Sequence, residues 1–120
     1  MTDPVLTLYG IPNCDTVKKA RVWLTEHGIA YQFHDYKKQG VPADKLSGWI
    51  AAAGWQVVLN RRGPTFRKLD DAVKDVVVDE ASARDLMLAH PSAIKRPIIE
   101  GAGELLVGFD STRYEALLLR

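Results

Sequence analysis

Apolar positions along this chain change their spacing several times, and each change marks an element. Val5-Leu6-Thr7-Leu8-Tyr9 is a short apolar run that predicts a first strand. Gly10-Ile11-Pro12-Asn13 then reads as a turn. From Cys14 the period lengthens. Val17, Ala20, Leu24 and His27 recur at helical spacing with Trp23 beside them, and Gly28 stands where that helix would stop. Tyr31 to Tyr36 reads as a second strand, with Tyr31, Phe33 and Asp35 on one face. Strand, helix and strand in such quick succession form a βαβ unit, which implies parallel pairing and a right-handed crossover.

After the polar stretch Lys37-Lys38-Gln39-Gly40, Pro42 suits a helix start. Leu46, Trp49, Ile50 and Ala53 follow at i, i+3, i+4 and i+7, and Gly54 closes the helix. Trp55 to Asn60 fits a strand or a short helix, with the helix favoured. Asn60-Arg61-Arg62-Gly63-Pro64 is a basic turn. Asp70 to Val78 is ambiguous, because Val76-Val77-Val78 has strand propensity in a charged setting. Ala83, Leu86, Met87 and His90 share a helical face that Pro91 ends. Pro97-Ile98-Ile99-Glu100 and Leu105-Leu106-Val107-Gly108 flank Gly101-Ala102-Gly103 and predict a β-hairpin. Asp110 suits the cap of a final helix carrying Tyr114, Leu117 and Leu118 on one face. The order is β-α-β, two or three helices, then β-β-α. It predicts an α/β, thioredoxin-like fold with an inserted helical region, residues 1–120 forming one domain.

Composition narrows the function classes. With 120 residues, 47% of them hydrophobic, the chain can bury a core without disulfides or metals. Sixteen basic against fifteen acidic residues give a net charge of +1, which lacks the basic surplus of a nucleic-acid binder. Apolar runs fall far short of a membrane span, and Met1-Thr2-Asp3-Pro4 lacks the start of a signal peptide. A cytoplasmic protein with no membrane partner is the expectation, and a reducing cytosol suits a free thiol.

That thiol is Cys14, the one cysteine in the chain. A lone cysteine is most often a small buried apolar residue. Here it stands where a strand turns into a helix, beside the first unpaired N–H groups of that helix. Those groups and the helix dipole favour the thiolate, the form that attacks disulfides and electrophiles. Lys18, one turn on, adds a cation. Asn13 and Thr16 can donate hydrogen bonds to a bound group. His27, His34 and His90 are scattered without ligand spacing, so no metal site is expected. Arg61, Arg62, Arg67 and Lys68 form a basic cluster that reads either as solvated surface or as a site for an anionic thiol. Trp23, Trp49 and Trp55 fit helix faces and read as core.

Several segments together resemble the arsenate reductase (ArsC)/Spx family, and within it the YffB-like reductases. They are Tyr9-Gly10-Ile11-Pro12-Asn13-Cys14-Asp15-Thr16 with Lys18-Lys19-Ala20, Asn60-Arg61-Arg62-Gly63, His90-Pro91, Lys95-Arg96-Pro97-Ile98-Ile99 and Leu106-Val107-Gly108-Phe109. The resemblance spans Val5 to about Leu118. It implies a thioredoxin-like fold with Cys14 as nucleophile, Arg96 beside it as an anion-binding group and Pro97 as the cis proline. An Arg fork steadies a thiolate or holds an oxyanion or carboxylate. It also brings Asn60 and Arg61 forward as substrate-binding residues.

Three departures shape the expected activity. Val17 stands where a Cys-x-x-Cys motif would place its second sulfur, so no internal disulfide switch exists. Glutaredoxin-linked arsenate reductases carry three arginines around the cysteine. The first is matched here by Asn60, with Arg61 adjacent, and the last falls at Gly108 or Phe109. Only Arg96 is clearly retained. The resemblance therefore implies a thiol reductase with no bound cofactor. Its resolving thiol comes from outside, glutathione being the natural co-substrate, and thiol-modified proteins are candidate substrates. The alternative is an Spx-like, non-enzymatic regulator that binds RNA polymerase. Arsenate reduction is a third and weaker reading.

Overall fold

The computed structural model describes residues 6–119. Its elements are β1 (Leu6–Gly10), α1 (Asp15–Glu26), β2 (Tyr31–Asp35), α2 (Tyr36–Gln39), α3 (Ala43–Ala53), α4 (Trp55–Val58), α5 (Pro64–Arg67), α6 (Asp71–Asp75), α7 (Glu80–Ala89), a 3-10 turn (Pro91–Ala93), β3 (Ile98–Glu100), β4 (Leu106–Val107) and α8 (Ser111–Leu118). The expected strand start at Val5 lies outside the described residues, as does Met1-Thr2-Asp3-Pro4. Two compact units divide the chain. One runs to Gln39 and resumes at Arg96; the other is Gly40–Lys95, the inserted helical region.

The first unit is a four-stranded sheet in the order β2-β1-β3-β4. β1 and β2 pair in parallel, from Leu6 against Tyr31 to Gly10 against Asp35. β3 runs against β1, with Tyr9 opposite Ile98, and β4 runs against β3. The expected βαβ unit and hairpin are both present, and the architecture is thioredoxin-like.

Strand alternation gives the sheet two different faces. Leu6, Leu8, Ile99 and Leu106 point one way, into a core with Val17, Ala20, Trp23 and Leu24 of α1 and Tyr114 of α8. Trp23 and Tyr114 meet edge to face at 5.4 Å. Arg21 ties the crossover to β2: its Nε donates to Tyr31 Oη at 2.9 Å, and its guanidinium lies 4.3 Å from the Phe33 ring centre. Gly28, at φ +68°, takes the left-handed turn that ends α1. Asp110 caps α8, its carboxylate accepting the Arg113 N–H.

In the second unit α3, α4 and α7 pack through Leu46, Trp49, Ile50, Val58, Ala83, Leu86 and Met87, all buried. Its ends are tied by a bridge between Leu59 and Ile94. Flanking it, Asn60 N–H donates to Ala93 O and Lys95 N–H to Val58 O, each at 2.8 Å. No helix among the described residues is long and apolar enough to cross a membrane.

Four local expectations change. His27 leaves the core: it caps the end of α1, exposed, with its ring stacked on Trp23 at 3.9 Å. The helical stripe ends one residue before it. Trp55 is only half-buried, with the Arg61 guanidinium 5.6 Å over its ring. Tyr36 opens α2 rather than closing β2. The ambiguous stretch from Asp70 forms α6, and Val76 and Val78 are left exposed. Charged neighbours deny those valines a sheet to join.

Two phenols are held against ionisation. Burial pushes the Tyr114 hydroxyl above its ordinary value, and nearby Asp110 adds to the effect. Burial does the same to Tyr36; Arg96 opposes it, while Tyr9 and Glu100 reinforce it. The folded chain keeps protons that the unfolded chain releases near pH 10. Their stabilising contribution is therefore whole below that value and falls as pH rises beyond it. Denaturant unfolding at stepped alkaline pH should show stability declining above about pH 10. Tyrosinate absorbance of Tyr36 and Tyr114 should appear with unfolding; early, reversible ionisation of both in the native protein would contradict this.

Candidate active site

The strand–turn–helix junction is set by packing between Gly10 and Val17. Val17 is fully buried, and a Cβ on Gly10 would lie 2.8 Å from Val17 Cγ2. Only a glycine lets β1 pass so close to the first turn of α1. The turn Ile11-Pro12-Asn13 follows, and Cys14 becomes the N-cap residue in extended conformation, φ −98° and ψ 126°. Its N–H donates to Ile11 O at 3.3 Å, and its carbonyl accepts the Lys18 N–H at 2.9 Å. No side chain caps this helix. Its first-turn donors and the positive end of its dipole are therefore next to the cysteine. Cys14 itself is a free thiol, half-buried against the apolar core.

Arg96 and Pro97 enter from the neighbouring strand. The Arg96–Pro97 peptide is cis, as the resemblance implied. β3 runs against β1 and begins with Ile98 opposite Tyr9, next to the C-terminal end of β1. Cys14 follows four residues after the C-terminal end of β1, and Arg96 comes two residues before β3 begins. Both groups thus belong to the same end of the sheet. Pro97 is buried, and its carbonyl accepts the Gly108 N–H at 2.8 Å. Gly108, at φ +81°, turns so that its own carbonyl accepts the Tyr114 hydroxyl, also at 2.8 Å. This relay anchors the proline loop to β4 and α8.

Ile98 and Glu100 share a sheet face by alternation, and Tyr9 and His34 join it by register, while Arg96 precedes the strand at a bend. Tyr9 Oη donates to Glu100 Oε1 at 2.7 Å. The rings of Tyr9 and His34 lie 4.9 Å apart. Tyr36 is buried beside them, and its phenol feels the charges of Arg96 and Glu100. Arg96 is half-buried. Tyr9, Tyr36 and Glu100 were missed as site residues by sequence reasoning. The alternation of 98 and 100 was the available signal, but it carries meaning only once β3 is known to lie beside β1.

Asn13, Thr16 and Lys18 are exposed around the cysteine turn and the first turn of α1. Asn60 and Arg61 belong to the second unit. There they line a cleft of ≈ 330 Å³ with Gln56, Arg62 and Lys95. Three cations and two amides on one cleft suit an anion. Gly63 passes close to Asn60: a Cβ there would come within 2.6 Å of Asn60 Nδ2.

The family profile described as ArsC family matches residues 9–117. A solved structure of a protein named YFFB superposes with a TM-score of 0.90 at 57% identity, covering 95% of this chain and 99% of its own. An arsenate reductase (ArsC) related protein from Brucella melitensis is 53% identical with a TM-score of 0.75, covering 97% and 96%. Among curated proteins, the global transcriptional regulator Spx of Streptococcus pyogenes is 29% identical over 118 residues, which is 97% of this chain and 87% of Spx.

The Gly10–Val17 approach yields a direct test. Gly10→Ala forces Val17 to move inside a filled core, an overpacking change that costs about 1–3 kcal/mol. Urea unfolding should show that loss, and Gly10→Ala combined with Val17→Ala should recover part of it. Equal stability of Gly10→Ala and the parent would mean that the junction is not held by this contact.

Proposed function

Because this chain belongs to the ArsC family, we propose that it is a thiol-dependent reductase working through one catalytic thiol, Cys14, with glutathione as the thiol that completes the cycle. The observation that carries this reading is the pairing of a lone cysteine at a helix start with a fully buried Val17 three residues on. That pairing supports a single-thiol cycle, since no second thiol stands one turn on from Cys14.

Chemistry follows from that count. The Cys14 thiolate attacks one sulfur of a substrate disulfide R–S–S–G, where G is glutathione. A Cys14–S–S–G bond forms, and R–S⁻ leaves with the bonding pair and takes a proton from solvent. A second glutathione thiolate attacks the glutathione sulfur of that adduct, giving G–S–S–G and regenerating Cys14. The net reaction is R–S–S–G + GSH giving R–SH + G–S–S–G: one glutathione thiol is consumed per turnover, and the proton it loses balances the one R–S⁻ takes up. The N–H groups of the first turn and Arg96 steady the thiolate as attacker and as leaving group. Pro97, fixed by Gly108, holds Arg96 at the end of β3, and Glu100 with Tyr9 supplies its counter-charge. Asn13, Thr16 and Lys18 contact the glutathione half. Asn60 and Arg61, with Arg62 and Lys95, give the helical unit an anion-binding cleft of its own. The reading places the protein in a reducing compartment such as the cytoplasm, with no metal and no nucleic-acid partner.

Arsenate is the less favoured substrate. A tetrahedral oxyanion against a thiolate brings two negative groups together, and several cations must offset their repulsion. Arg96 alone remains of the three arginines expected. A mixed disulfide asks for less compensation, since its sulfurs are neutral. The similarity to Spx over nearly the whole chain supports a second reading, a regulator docking on RNA polymerase. The missing Cys-x-x-Cys pair argues against it.

Purified protein with glutathione and the mixed disulfide of glutathione with 2-mercaptoethanol should turn over, and Cys14→Ser should not. Arg96→Ala should lower kcat/KM by roughly 10- to 100-fold, the usual scale for a lost charge-stabilising donor. Arsenate reduction should be weak or absent. Efficient arsenate turnover without disulfide activity, or full activity in Cys14→Ser, would overturn the proposal. Stoichiometric recovery of polymerase subunits in a pull-down would favour the regulator.

A further inference from the structure

The outer face of α1 carries a groove of which the chemistry above uses only Lys18. It has a volume of ≈ 370 Å³ and is lined by Lys18, Lys19, Val22, Trp23, Glu26 and Phe109. Val22 is 54% exposed, unusual for a valine in a helix whose other face is core. Phe109 is half-buried, edge-on to Tyr114 at 5.2 Å. Among the described residues neither lysine has an ion-pair partner.

Spacing relates this groove to the thiol. Lys18, Val22 and Glu26 fall four residues apart on α1, and Cys14, its N-cap, precedes Lys18 by the same interval, so they climb the helix in a row that winds about 40° per step. A helix rises 1.5 Å per residue, which puts Lys18 about 6 Å, Val22 about 12 Å and Glu26 about 18 Å along the axis from Cys14. An extended peptide rises about 3.3 Å per residue, and its alternate side chains share a face. A peptide whose cysteine lies at Cys14 therefore presents its second neighbour at Lys18 and Lys19. Its fourth neighbour falls on Val22, Trp23 and Phe109. The order along the row is thiol, cation, apolar, anion.

We propose that this groove docks an extended segment of a protein substrate, with an acidic residue about two positions and an apolar residue about four positions from the modified cysteine. The inference rests on the reading of Cys14 as the reacting thiol and deepens it by naming the substrate class: glutathionylated proteins rather than small disulfides alone. Charge complementarity selects the occupant. The lysine pair meets the acidic side chain near the thiol, and the apolar residue covers surface that is otherwise wet.

The test uses two glutathionylated nonapeptides of equal composition, each symmetric about its cysteine so that chain direction does not matter. The matched peptide has glutamates at the second and leucines at the fourth positions on either side, with serines elsewhere. The shifted peptide moves them to the first and third positions, onto the opposite face. The matched peptide should be turned over with kcat/KM about tenfold above the shifted one, a difference of about 1.4 kcal/mol. Val22→Glu and Lys19→Glu should each abolish that preference while activity on the small 2-mercaptoethanol mixed disulfide stays within about twofold. Equal turnover of both peptides, or a loss in Val22→Glu shared by all three substrates, would overturn the groove.

Non-covalent binding separates this failure from failure of the catalytic reading. On Cys14→Ser, Trp23 fluorescence should respond to the matched glutathionylated peptide and not to the shifted one, and Val22→Glu should remove the response. Binding without turnover would uphold the groove and reject the reductase; turnover without discrimination would do the reverse. A concentration-dependent dimer in sedimentation, lost in Val22→Glu, would assign the groove to a second copy and overturn the proposal.

Discussion

Strand direction is the constraint on which the rest depends. β1 and β2 run together while β3 runs against them. The turn after β1, the end of β2 and the approach to β3 must therefore meet at one edge of the sheet. Those three places carry Cys14 on the first, Tyr36 on the second, and Arg96 and Pro97 on the third. A parallel β3 would send Arg96 to the far end, out of reach of any thiol on α1. The groups converge because of hydrogen-bond topology, and the side chains then refine a meeting already arranged by the backbone.

The two faces of the sheet divide the remaining tasks. One face is apolar and anchors α1 and α8, which keeps the cysteine turn and the proline loop in register. Tyr114 serves both sides of that task, since its ring fills the core and its hydroxyl ends the relay through Gly108 to Pro97. The other face carries Ile98, Glu100, Tyr9 and His34, with the buried Tyr36 of α2 beside them. A half-buried guanidinium is costly to desolvate unless donors and counter-charges lie nearby. The buried Tyr36 phenol feels the charges of both Arg96 and Glu100, and the Tyr9 hydroxyl donates to the Glu100 carboxylate.

Much of this was legible in the sequence where chemistry is local. The cysteine turn, the Gly28 stop, the hairpin around Gly101-Ala102-Gly103 and the Asp110 cap all follow from neighbouring residues. The cis bond before Pro97 was legible only through family resemblance, because nothing in the residues Lys95-Arg96-Pro97 demands it alone. His27 and Trp55 went astray for a shared reason: periodicity places a side chain on a face but does not say where the face ends. The short helices between Asn60 and Val78 are four or five residues long, below the length at which a period of 3.6 can be told from chance. The network around Arg96 needed pairing information that no linear pattern holds. Asn60 and Arg61, singled out by resemblance, lie with Lys95 on a basic cleft of the helical unit, a cluster joined by the Leu59–Ile94 bridge rather than by proximity in sequence.

Val17 has a consequence that reaches beyond packing. With a buried valine three residues on in place of a second thiol, the Cys14 turn has no partner sulfur with which to close a disulfide. A disulfide at Cys14 therefore carries its partner with it: a small thiol, another protein or a sister molecule, while direct oxidation leaves an oxygen on the sulfur. Each adduct differs in mass, and some in charge. The intact mass of the protein taken from a cell would therefore read out, molecule by molecule, what it last encountered.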